Sequence, residues 1–112
     1  MFDADSMMRN FAGHRSIAVA MIVSLVTDVP ERIEALSSTL AAGDLAGAER
    51  EAHTLKGLGG NGGAPLLRDL ALQVESSCRD GRLEEARRKL PDLAAEADCV
   101  IAEWRSFLVG AG

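Results

Sequence analysis

The sequence predicts an all-α protein, an antiparallel up-down four-helix bundle with a short N-terminal helix. Three observations lead there. Apolar residues make up 47% of the chain but aromatics only 4%, with Ala and Leu abundant and Val and Ile clustered in two places; that balance favours helices over sheets. Apolar residues also recur at spacings of three and four in long runs. Short turn signals separate those runs, and short connections make consecutive helices antiparallel neighbours. At 112 residues the chain fits one domain with a single core.

The elements follow in order. Residues 1–14 contain Met7, Met8 and Phe11, which suit a short amphipathic helix lying across the bundle end. A long helix is expected from near Arg15 to about Ala42. Its seam is Ile22, Val26, Val29, Ile33, Leu36 and Leu40, with a kink at Pro30, which lacks a backbone N–H. Ile17, Ala20, Met21 and Val23 lie off that seam, leaving three readings open: contact with the N-terminal helix, a docking patch, or a homodimer interface. Gly43 ends this helix and Asp44 caps the next.

The second long helix turns Leu45, Ala48, Ala52 and Leu55 inward. It places Glu49, Arg50, His53, Lys56, Gly57 and Gly60 on another face. Five glycines fall between Gly57 and Gly63, each costing about 1 kcal/mol against Ala inside a helix, so the helix is expected to fray or end there. The string also fits G-x-G-x-x-G, but the dinucleotide fingerprint follows a strand and here a helix precedes it. No Gly-Lys-Ser/Thr follows to make a phosphate loop. Pro65 suits the first turn of the third helix, whose inner residues are Leu66, Leu67, Leu70, Val74 and Cys78. After Asp80-Gly81 the fourth helix carries Leu83, Ala86, Leu90, Leu93, Ala97, Val100, Ile101, Trp104 and Leu108 inward, and Pro91 should kink or split it. The bundle is expected over 15–109, with 110–112 a disordered tail.

Twelve basic against seventeen acidic residues give a net charge of −5. An acidic domain without a basic stripe gains nothing from phosphate counterion release, which argues against nucleic-acid binding. Cys78 and Cys99 match no metal-ligand spacing and read as reduced thiols in a cytoplasmic protein. No basic-then-apolar leader opens the chain. The longest apolar run, Ile17 to Val26, is too short to cross a ~30 Å hydrocarbon layer. No Glu-x-x-His pair supplies inward ligands for a metal or cofactor bundle, so neither metal nor cofactor is expected.

His53 carries the most information. Lys56 at i+3 lies one turn away on the same face, and Gly57 at i+4 leaves space beside the ring. A nucleophilic imidazole, a cation and a clear approach suit phosphoryl handling. Imidazole is substantially neutral near its ordinary pKa of about 6.5. The outward nitrogen, Nε2, would be the nucleophile, and the other nitrogen needs an acceptor to fix the tautomer. His14 has no such context and reads as a helix-start or surface residue.

The run Ala52-His53-Thr54-Leu55-Lys56-Gly57, then Gly63-Ala64, Leu70 and Val74-Glu75, resembles the histidine-containing phosphotransfer (HPt) domain family. The likeness extends back through Leu25, Val26, Asp28, Pro30 and Ala42-Gly43-Asp44, and forward through Arg79-Asp80-Gly81 and the last helix. It implies a phosphorelay intermediate that takes a phosphoryl group from a receiver-domain aspartate, or from a histidine kinase, and passes it to another receiver. It implies His53 as the phosphorylated residue, Lys56 as the cation for phosphoryl oxygens, and Gly57 as the opening for the partner. Glu75 matches a family position with a polar residue near the histidine, making it the candidate orienter. The receiver would bring Mg²⁺, and the chain would be a carrier without turnover of its own, expected as a monomer. Ile17, Met21, Arg50, Leu58 and Gly60 are expected to meet the partner. Gly62 stands where the family often has a large apolar residue, which should remove a core contact worth ~1.5–3 kcal/mol and loosen the end of the second long helix. The competing reading is a helical adaptor of the same fold that binds receivers without being phosphorylated.

Overall fold

The computed structural model describes residues 1–111; Gly112 lies outside the described residues. Five helices account for nearly all of it: α1 (Ala4–Asn10), α2 (Arg15–Ala41), α3 (Leu45–Asn61), α4 (Pro65–Arg79) and α5 (Leu83–Ala111). Among the described residues there is no strand, and no helix is long and apolar enough to cross a membrane. The four long helices form the all-α bundle: α2 and α4 each pack between α3 and α5. At 1.5 Å per residue, the 29 residues of α5 account for the 42 Å long axis.

The helix ends follow from capping chemistry. Asp44 accepts a hydrogen bond from the Gly47 N–H at 2.9 Å and starts α3. Asp3 does the same for α1 through the Ser6 N–H. The C-terminus of α2 is closed from another helix: the Arg87 guanidinium of α5 donates to the carbonyls of Leu40 and Ala41. That places a cation at the negative end of the α2 dipole and satisfies carbonyls that the helix itself leaves free.

The core includes Ile22, Leu25, Val29, Leu36 and Leu40 of α2, Ala48, Ala52 and Leu55 of α3, Leu67, Ala71 and Val74 of α4, and Ala86, Leu93, Val100 and Trp104 of α5. Met7 brings α1 into it. Several expectations need correction. α3 does not fray at its glycines but continues through Gly57, Gly59 and Gly60 to Asn61. Packing outweighs propensity there, because a Cβ on Gly59 would stand 2.9 Å from the Arg68 backbone nitrogen, so the glycine is what lets α3 and α4 close. Pro91 does not split α5, which is one helix from Leu83 to Ala111. That same helix takes in Gly110 and Ala111, two of the three residues expected as a tail. Leu66 is 43% exposed and is replaced on the inner face by Ala71; the buried stripe is Leu67, Ala71, Val74 and Cys78, spaced by four, three and four.

Gly62 also behaves differently from expectation. No hole is left beside it. The Trp104 ring lies so near that a Cβ on Gly62 would be 2.5 Å from Cζ2 and 2.7 Å from Leu25 Cδ1. Trp104 Nε1–H donates to the Gly62 carbonyl at 3.0 Å. The indole from α5 fills the volume that a large side chain would take, and anchors the end of α3. Next to it, Gly63 has φ +67° and its carbonyl accepts from the Asp3 N–H at 2.6 Å, which ties α1 to the α3–α4 turn.

Candidate functional site

The stripe of α3 that contains His53 lies between the seam and the solvent. Ala52 and Leu55 are fully buried and fix the rotation of the helix, so His53 emerges with its side chain 66% exposed. Opposite it on α4, Val74 and Cys78 point inward, and Glu75 rests between α4 and α3 with its side chain only 3% exposed.

Glu75 is the hub. Its Oε2 lies 2.6 Å from His53 Nδ1. A carboxylate only accepts, so the neutral ring carries its proton on Nδ1 and keeps the lone pair on Nε2. The Lys56 ammonium is 2.9 Å from Oε1, and the Arg79 guanidinium, one turn along α4, is 3.4 Å from Oε2. Burial pushes the Glu75 carboxyl up, but hydrogen bonds from Lys56 and His53, together with their charge, outweigh it and hold the group below its ordinary value. Glu75 is therefore a carboxylate at neutral pH; its charge is lost only as the pH falls through that lowered value.

An open groove of about 500 Å³ runs past the ring, lined by Glu49, Arg50, His53, Thr54, Glu75 and Arg79. Lys56 is seated on Glu75 rather than standing free beside the imidazole. A Cβ on Gly57 would meet no atom within 4 Å, so the approach there is open. At Gly60 a Cβ would stand at an ordinary contact distance, 3.7 Å, from Arg68 Cδ, and the Gly60 carbonyl accepts from the Asn10 side chain at 3.4 Å. Arg50 is exposed, Leu58 and Met21 are half-buried against the core, and Ile17 is 51% exposed. Ala20 and Val23 are also exposed; α1 leaves this part of α2 uncovered. His14 starts α2 without making a side-chain cap. Arg79 was not among the expected site residues, although its i+4 spacing from Glu75 is the usual signal of a helical ion pair. Among the described residues, no three His, Cys, Asp or Glu side chains converge as a metal site. Cys78 and Cys99 are both free thiols.

A helical bundle that presents one oriented imidazole to solvent, backed by a buried carboxylate and two cations, defines a class of histidine-presenting modules. The chain belongs to the Hpt domain family, whose model matches residues 20–103. It is 27% identical over 106 residues to the phosphorelay intermediate protein rdeA of Dictyostelium discoideum, an alignment that covers 95% of this chain and 42% of that protein. The chain thus spans less than half the length of that curated relative. Among solved structures it is similar to histidine-containing phosphotransfer protein B of Pseudomonas aeruginosa PAO1, with a TM-score of 0.88 and 25% identity, covering 96% of this chain and 93% of that one. The HPT domain of a Shewanella sensor hybrid histidine kinase shares the fold, with a TM-score of 0.88 at 22% identity, covering 97% and 94% of the two chains.

Proposed function

We propose that the chain is a phosphorelay carrier that holds a phosphoryl group on His53 Nε2, receives it from a receiver-domain aspartate or a histidine kinase, and passes it to another receiver. The observation that carries this reading is the 2.6 Å contact between His53 Nδ1 and the buried Glu75 carboxylate, which directs the free lone pair to solvent. In the forward step that lone pair forms the N–P bond. The P–O bond to the donor aspartate breaks, and its electron pair leaves on the aspartate carboxylate. The ring becomes an imidazolium whose Nδ1 proton already faces Glu75, so the new positive charge is compensated where it appears. Transfer onward reverses these events and returns the electron pair to Nε2. Lys56 turns to the phosphoryl oxygens. The receiver supplies Mg²⁺ and the second active-site half, so this chain is a carrier without turnover of its own. Ile17, Met21, Arg50, Leu58 and Gly60 form the face that meets the receiver, and Gly57 lets it come close.

Incubation with a phosphorylated receiver domain tests the reading. The chain should acquire a label that acid removes and base does not, the signature of a phosphoramidate. Receiver binding without any label would instead favour an adaptor. Lys56→Ala is expected to slow transfer by about tenfold or more with the helical circular-dichroism spectrum unchanged; rapid-quench time courses measure it, and wild-type kinetics would remove Lys56 from the mechanism. Gly57→Gln separates stability from docking. The side chain has open space and Gly is a poor helix former, so the melting temperature should rise with a gain of up to ~1 kcal/mol. The added bulk should nevertheless weaken receiver binding, and titration calorimetry showing wild-type affinity would contradict the approach assigned to this position.

A further inference from the structure

We infer that Arg79 is a positioning residue for His53: it holds the Oε2 oxygen of Glu75 against the ring Nδ1 while Lys56 turns to the phosphoryl group. The inference rests on His53 being the phosphoacceptor. It comes from how the two oxygens of Glu75 are shared. Oε2 faces both His53 Nδ1 at 2.6 Å and the Arg79 guanidinium at 3.4 Å. Oε1 faces the Lys56 ammonium, at 2.9 Å.

Lys56 therefore has two tasks that compete. Nε2 is on the far edge of the imidazole from the Nδ1 contact, so a phosphoryl group there draws the flexible lysine stem away from Oε1. Until the N–P bond forms and charges the ring, a nearly buried carboxylate thus loses one cation while a second anion arrives across a still neutral imidazole. Like charges at that range favour protonation or rotation of the carboxylate, and either change releases the Nδ1 proton from its acceptor. Arg79 prevents this. It projects from the same helix one turn beyond Glu75 and sets its guanidinium 3.4 Å from the very oxygen that fixes the tautomer. Its own side chain is mostly exposed, so the core does not depend on it.

The test compares wild type with Arg79→Ala and Arg79→Lys in two measurements. One is transfer of radiolabelled phosphate from a phosphorylated receiver domain across receiver concentrations. The other is nitrogen NMR of the His53 ring in a Lys56→Ala background, which takes the lysine off Oε1 as an incoming phosphoryl group would, with His14 as the second signal. Arg79→Ala is expected to lower the maximal rate about tenfold while the half-saturating receiver concentration stays the same. The His53 ring should then show a fraction protonated on Nε2, and Arg79→Lys should restore most of the rate. An unchanged maximal rate overturns the inference, and so does a raised half-saturating concentration alone, which would make Arg79 a partner contact. A slower rate with an unchanged tautomer also overturns it, because the guanidinium would then act on the phosphoryl group directly. If wild type takes no label, the proposed function fails and this inference falls with it; label on wild type with an indifferent Arg79→Ala fails the inference alone.

Discussion

His53→Gln is expected to abolish phosphoryl labelling completely while leaving the fold and receiver binding in place. The glutamine amide lies one bond further out than Nδ1, but its flexible stem lets an N–H turn back to Glu75, so the buried carboxylate, now 2.6 Å from His53 Nδ1, keeps a donor within reach. It offers no ring nitrogen with a lone pair, so no N–P bond forms. The side chain at this position is 66% exposed, and surface substitutions of that kind usually change stability by less than about 0.5 kcal/mol. The chain contains an internal control. His14 is its only other histidine, it is exposed, and it stands at the start of α2 without a side-chain cap bond. Phosphoryl-transfer rates depend on positioning and charge stabilisation more than on the nucleophile alone, so an imidazole without a facing carboxylate should take no label at a measurable rate. The check is autoradiography of wild type, His53→Gln and His14→Gln after exposure to a phosphorylated receiver. Label that survives His53→Gln and disappears with His14→Gln would move the site to the other end of the molecule.

Much of this geometry can be read from local sequence rules. Helical spacing puts His53 and Lys56 one turn apart and on the same side. The glycine at 57 marks an open approach. The cap at Asp44 and the turn at Asp80-Gly81 mark where helices begin and end. Glu75 is a different case: it lies 22 residues from His53 on another helix, and only the likeness to a family points to it. Arg79 follows from Glu75 by the i+4 rule once Glu75 is known to be buried, and burial is what the sequence does not show. The same limit explains the two misread glycine positions. Propensity counts Gly59 and Gly62 as losses to α3. Their gains come from Arg68 on α4 and Trp104 on α5, contacts that no local window contains. Leu66 misleads for the opposite reason: it is apolar and periodic, yet at the first turn of α4 the stripe that faces the core is carried by Leu67 and Ala71.

The second large effect is expected at Trp104, which is fully buried. Trp104→Ala should cost about 3–5 kcal/mol, a large share of the ~5–15 kcal/mol that holds a domain of this size together. Three losses combine there. The indole leaves a cavity against Leu25, the Gly62 carbonyl loses the donor it now has at 3.0 Å, and Phe2 loses its edge-to-face neighbour at 6.5 Å between centroids. Trp104→Phe keeps a ring beside Phe2 but loses the N–H and part of the volume next to Gly62, and should cost less than the alanine change. Gly62→Ala should also destabilise, since its Cβ would stand 2.5 Å from the indole and the neighbouring Leu25 blocks retreat. The two positions must then be coupled. In the Trp104→Ala background the indole contact is gone and Leu25 Cδ1, the end of a flexible side chain, can move into the space left, so Gly62→Ala should become nearly neutral, with an interaction energy within the ~0.5–3 kcal/mol seen for touching residues. Urea unfolding of the four chains in this cycle measures it. Strict additivity would mean that the indole does not occupy the space beside Gly62, and that something other than Trp104 ends α3 against α5.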